Sequence, residues 1–359
     1  MRSTYFLASA ALALAGSAFG AALTPLATFG GGDGYIGTGE RAYLTTGDVQ
    51  RGLAYNSTNN HLYVLSRTTG TSGAPEVAIL DGDTGSELSR VTLTGLTGGL
   101  FLASKIRVAD DGAIYVSNLT TSTTTTNPFK IYRFGSEADL ISNNKTQAFS
   151  GLLTAATRVG DAFNIRGSGT NTQMVLGGGT SNNDVIVMTT TDGSTYTPTI
   201  FDVGASTDNQ RLGIAFGEGD TIWAKGSQNL VRIGFTLGST PSASILNTFG
   251  TSLYPASSGS IDVDPNDKLL AATADGTPDA GRLYTIADPT TVGVSQLLDT
   301  ETWPGTDNSN VSFLGELDFS GGRLYALNTN DGVMAYDVPE PASLSLLSLG
   351  GVAMLRRRK

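Results

Sequence analysis

The chain has 359 residues, no cysteine and one histidine, and its 22 basic residues against 32 acidic ones give a net charge of −10. That composition excludes a disulfide framework, thiolate chemistry and a histidine-rich metal site. Without Arg2 and the four terminal cations, 17 basic residues remain against the 32 acidic ones, a charge of −15 that repels nucleic acid and anionic lipid headgroups.

The first residues read as a secretory signal peptide. Arg2 supplies a positive start, Tyr5 to Ala15 an apolar stretch, and Ala18-Phe19-Gly20-Ala21-Ala22 the small residues of a cleavage site. Residues 1–22 therefore direct export through the Sec machinery, residues 23–337 form the body, and residues 338–359 are a separate C-terminal signal.

Within the body, a pair of strands around a tight turn recurs six times. The second strands begin at His61, Ala113, Gln173, Thr221, Lys268 and Arg323, spaced 47 to 60 residues apart. Inner strands precede them at Gly52–Tyr55, Lys105–Val108, Phe163–Arg166, Gly213–Phe216, Ser260–Val263 and Glu316–Phe319. Asp- and Gly-rich turns such as Asp110-Asp111-Gly112 and Ser320-Gly321-Gly322 join the pairs. Third strands follow in all six copies, and fourth strands in five, the last of them at Ser295–Leu298. Repeats of this length holding about four strands each predict an all-β, six-bladed propeller. The sixth copy runs directly into the C-terminal signal, so Leu23–Phe29 is expected to supply its missing strand and cover the exposed edge.

The C-terminal signal has three parts. Pro339-Glu340-Pro341 is followed by an apolar stretch from Ala342 to Leu355, and the chain ends on Arg356-Arg357-Arg358-Lys359. The apolar stretch spans about 21 Å as a helix, short of a stable bilayer crossing, and the terminal cations favour the cytoplasmic side. This arrangement resembles the PEP-CTERM signal, also known as the ice-binding protein C-terminal motif. The resemblance implies a Gram-negative exporter, a membrane transpeptidase (exosortase) as partner, transient membrane association, and delivery to the outer surface or extracellular matrix. In the body, Val77-Ala78-Ile79-Leu80-Asp81-Gly82-Asp83-Thr84-Gly85 is similar to a hairpin of YVTN-type and lactonase-like propellers, which supports the fold and assigns no reaction.

Candidate chemistry falls on the face carrying the loops between second and third strands and between blades, which are the longer ones. Tyr35, Tyr254 and Trp303 lie in such loops and are candidates for stacking on sugar rings, the other reading being that each ring tucks against its own loop. Arg51, Lys105, Arg166, Arg211, Ser260 and Glu316 are expected near the channel mouth. Several cations against one carboxylate suit an anionic group such as an acidic sugar, or else pair with neighbouring acids. Asp262 to Asp267 lacks the glycine and glutamate of a calcium loop and reads as a strand with a turn. Gly30 to Gly34 opens no helix and is followed by no Lys-Ser/Thr, so it is not a phosphate loop. No metal, cofactor or catalytic residue is assigned. The expected function is a non-catalytic, exported scaffold or binding protein associated with extracellular polysaccharide. The alternative is a lactonase-like or glycan-cleaving enzyme, for which two acids would suffice.

Overall fold

Apolar residues run unbroken through the second strand of every repeat because both faces of that strand are buried. Successive side chains of a strand point to opposite faces. In His61–Ser66, Tyr63 and Leu65 pack with Ile106, Ile114 and Val116 of the next blade, whereas Leu62 and Val64 pack with Tyr325, Leu327 and Val333 of the last. The same alternation around the ring gives six apolar clusters, one at each junction between neighbouring blades. Each large side chain fully buried there contributes about 1.5–3 kcal/mol.

The computed structural model describes residues 21–67, 73–122, 124–153, 158–179, 184–203, 209–266, 269–275, 279–286, 297–305 and 314–338. Five antiparallel sheets of four strands follow the chain in order. They start at inner strands Gln50–Asn56, Phe101–Val108, Phe163–Arg166, Gly213–Phe216 and Ser258–Asp264. The sixth holds Gly315–Ser320, Arg323–Asn328 and Gly332–Asp337. Every inner strand contacts those of both neighbours, the last touching the first, so the six-bladed ring is closed. The fourth strand of the fifth blade is Leu297–Thr302, a few residues later than expected, because Arg282 pairs with Thr300 and Ala280 with Thr302. Ser295 lies outside the described residues.

Closure uses the N-terminal segment, but not as the single strand expected at Leu23–Phe29. Thr24 and Pro25 pair with Asp337 and Tyr336. After an intervening turn, Tyr35–Gly37 pairs with Gly332–Met334. Proline lacks an N–H with which to continue the ladder, and the glycine run turns the chain back. Gly30 and Gly34 have φ of +64° and +78°, and a Cβ on Gly30 would lie 1.8 Å from the Tyr35 carbonyl oxygen. That turn carries Phe29 into the junction between the sixth and first blades, 6.2 Å from the Tyr325 ring. The glycine-rich segment is thus a closure device.

Among the described residues no helix is long and apolar enough to cross a membrane. Most of the expected signal peptide (residues 1–20) and the apolar sorting helix (within residues 339–359) lie outside the described residues.

Candidate functional site

The inner strands bring one position per blade to equivalent places near the channel. Pairing with the second strands aligns Ala54, Arg107, Asn164, Ala215, Asp262 and Asp318. Three of these tie one blade to the next. Asp262 accepts the backbone N–H of Phe319 at 2.8 Å, Asp318 that of Tyr55 at 2.8 Å, and Asn164 Oδ1 that of Phe216 at 3.4 Å. Asn164 Nδ2 also donates to Asp262 at 3.1 Å.

Arg107 does more than join neighbours. Its Nε donates to the Phe163 carbonyl at 2.8 Å and its Nη1 to the Leu317 carbonyl at 2.7 Å, while Nη2 pairs with Glu316. Lys105 Nζ lies 3.1 Å from the same Glu316 and also donates to the Gly315 carbonyl. All three charged groups are buried, so the channel is closed inside by a charged plug rather than apolar side chains. Burial pushes the Lys105 ammonium below its ordinary value against the pull of Glu316. For Arg107, burial is outweighed by Glu316, Asp262 and Asp318, which hold the guanidinium above its ordinary value.

Outside this plug, a funnel of about 760 Å³ opens on the face of the short turns between first and second strands, with residues from all six blades in its wall. Arg107, Asn164, Asp262 and Asp318 line it, with Asn56 and Phe319 among the surrounding groups. Burial pushes the Asp262 carboxyl up to about 6, Arg107 opposing. Burial also pushes Asp318 up to about 8, with Asp262 adding to the rise and Arg107 again opposing. Donors and acceptors thus stand side by side in the funnel, held by the backbone and by one another.

Of the sequence-predicted residues, Arg166 lines the funnel and the others lie elsewhere. Tyr254 and Trp303 are buried, and so is Tyr35, which rules out the exposed stacking platform. Tyr254 packs 4.2 Å from the Tyr284 ring. Tyr35 meets Trp303 edge-on at 6.1 Å and donates its hydroxyl to the Asp331 carbonyl at 2.7 Å. Trp303 directly follows the fourth strand of its blade, which runs on to Thr302 beyond its expected end at Leu298, and Tyr35 belongs to the closing strand, so neither sits at a loop tip. Lys105 belongs to the plug. Arg166 stands at the far end of its strand and lines the funnel, with Gln173 and the Gly219 carbonyl as partners. Arg51 and Arg211 meet on the opposite, long-loop end around Asp161, whose oxygens lie 2.8 and 3.4 Å from them.

The sequence reading missed Arg107, Asp161 and the Asp262–Asp318 pair. For Arg107, Asp262 and Asp318 the available signal was a charged residue within an inner strand, one position from its end in Arg107. His61 stands away from the channel, its Nδ1 2.7 Å from Glu137, an acid that also accepts from the Tyr63 hydroxyl at 2.6 Å. Asp264 accepts the Asn266 N–H at 2.9 Å, so the calcium-like segment is a strand and turn as read. Asp267 lies outside the described residues. Among the described residues, no group of three or more His, Cys, Asp or Glu is placed to hold a metal.

A comparison with curated proteins finds no match. A DUF4623 family protein from Bacteroides eggerthii is similar in structure, with a TM-score of 0.58 and 14% identity over 83% of this chain and 72% of that one. At that identity the likeness concerns the fold alone. The WD40 repeats of RRP9 align with a TM-score of 0.49 and 10% identity over 81% of this chain and 94% of that one. Residues 337–359 match the model of the PEP-CTERM protein-sorting motif. With that motif at its end, the chain is an exported, cell-surface-directed protein, sorted by exosortase, with a six-bladed β-propeller as its body.

Proposed function

We propose that this protein is a non-catalytic binding module for extracellular polysaccharide on the surface of a Gram-negative bacterium, and that the short-turn funnel holds the sugar. The observation that carries the reading is the funnel itself, a cavity of about 760 Å³ walled by all six blades and set on a rigid ring. Sugar hydroxyls donate and accept at once, which matches a floor where Arg107 and Asn164 donate and Asp262 and Asp318 accept. Their existing bonds to backbone and to one another reduce the entropic cost of ordering them on binding. The same bonds favour binding over catalysis, because Asp262 and Asp318 already serve as ties between blades.

One observation favours a second reading, hydrolysis of a glycoside. Burial raises both funnel carboxyls, and Asp262 adds to the rise at Asp318, an arrangement that suits a general acid beside a general base. Titration calorimetry and product analysis of the purified protein with neutral oligosaccharides separate the two. Binding without cleavage that Asn56→Ala or Asp318→Asn weakens supports the first reading. Cleavage abolished by Asp318→Asn establishes the second, and no binding to any oligosaccharide overturns both.

A further inference from the structure

We infer that the opposite mouth of the channel, on the long-loop face, is an oxyanion site built from Arg51, Arg158, Arg211 and Arg67, and that it takes the carboxylate of an acidic polysaccharide. The argument begins with the shortage of acceptors around Asp161. Its Oδ1 receives Arg51 Nη2 at 2.8 Å and Arg158 Nη2 at 3.0 Å. Its Oδ2 receives Arg158 Nε, with Arg211 Nη1 at 3.4 Å. A carboxylate has about four acceptor sites, so Asp161 is saturated, while three guanidinium groups bring about fifteen N–H donors. Arg51 Nε and Arg211 Nε are buried and have no hydrogen-bond acceptor among the described residues. Arg51 as a residue is only 4% exposed.

A fourth cation completes the set. The Phe101 ring lies 3.9 Å from the Arg67 guanidinium carbon and 5.1 Å from that of Arg51, so the two cations share one aromatic ring. Asp48 is a second described acid within electrostatic reach of Arg51 and also of Arg67. Its carboxylate accepts from Asn330 Nδ2 at 2.7 Å, and its backbone oxygen from Arg67 Nε at 2.9 Å. Among the described residues the mouth thus holds four cations against two acids, in a chain whose net charge is −10.

Burial pushes the Arg51 guanidinium below its ordinary value, and Arg158 and Arg67 add to this against Asp161. Burial would raise Asp161, but the hydrogen bond from Arg158 and the charges of Arg51, Arg158 and Arg211 hold it low. A second anion would relieve the repulsion among these arginines. Planar guanidinium forks match a carboxylate in two-point geometry. In an acidic extracellular polysaccharide, that group is the carboxylate of a uronic acid. This site shares no side chain with the funnel and stands or falls independently of it.

The test is titration calorimetry of the full protein with a galacturonic acid hexamer, with a galactose hexamer and inorganic sulfate as comparison probes. The acidic hexamer should bind, and its affinity should fall as salt is raised. Arg158→Gln and Arg211→Gln, whose side chains are about one-quarter exposed and so perturb folding least, should each weaken binding about tenfold. Lys145→Gln, on an outer strand's approach, should leave it unchanged. Asp161→Asn should strengthen binding, since it frees donors, and the hexamer should raise its melting temperature more than that of the parent. Equal affinity for the galactose hexamer overturns the proposal, as does Arg211→Gln behaving like Lys145→Gln. Sulfate binding as tightly as the acidic hexamer overturns the assignment to a sugar carboxylate.

Discussion

Asp318 accepts the backbone N–H of Tyr55 at 2.8 Å and so joins the last blade to the first across the seam of the ring. Asp262 makes the equivalent bond to Phe319 one junction earlier. At both junctions a carboxyl group accepts from an inner-strand N–H that would otherwise be unsatisfied, at the cost of burying an acid next to a second acid.

That cost makes stability depend on pH. Burial holds the Asp318 carboxyl at about 8 in the folded protein, against about 3.9 in an unfolded chain. The folded state therefore binds more protons between those values, and stability contributed through this group falls as pH rises from about 4 to about 8. Asp318→Asn removes the dependence and keeps an oxygen for the Tyr55 N–H. In thermal melts, the difference in Tm between variant and parent should shift in favour of the variant from pH 5 to pH 8. An identical difference at both values would refute the assignment.

The plug should respond asymmetrically to substitution. Glu316→Gln leaves Lys105 and Arg107 buried with less compensating charge and should cost about 3–5 kcal/mol. Adding Lys105→Met removes the orphaned ammonium and should recover part of that loss. Urea unfolding checks both, and a loss under 1 kcal/mol for Glu316→Gln would show that the plug is solvated.

Closure by the N-terminal segment predicts two sensitive positions. Phe29→Ala empties a fully buried site at the seam and should cost about 3–5 kcal/mol. Gly34→Ala forces a side chain into a positive-φ turn, with its Cβ 2.9 Å from that of Pro25, and should cost about 1–3 kcal/mol. Unfolding midpoints of each variant near that of the parent would mean that the ring closes without this segment.

Processing is tested at the other terminus. Replacing Pro339, Glu340 and Pro341 together by alanine should leave the C-terminal segment attached in the producing cell. Intact-mass measurement of the surface fraction reads this directly. A processed mass unchanged from the parent would dissociate this motif from exosortase.

Some features were legible because they are local. An unbroken apolar run within His61–Ser66 or Arg323–Asn328, with turn residues before each strand, marks a repeat whatever the rest of the chain does. The seam was read with less accuracy. Leu23–Phe29 has strand composition, but Pro25 and the positive-φ glycines split the closing strand in two. The aromatic candidates failed for a related reason. Composition does not distinguish a ring at a loop tip from one such as Tyr254, which folds back onto Tyr284.

By itself, the sequence determined the C-terminal sorting motif, the six-fold repetition and the face on which each turn lies, because these follow from residue order and turn spacing along the chain. Only the tertiary structure decided which charges meet. Arg107 and Glu316 are 209 positions apart, and Arg51 and Asp161 are 110 apart. No local pattern encodes such partners, because ring closure, rather than propensity, carries them to one axis. There a low local dielectric turns scattered charges into a plug, a funnel floor and an arginine-lined mouth.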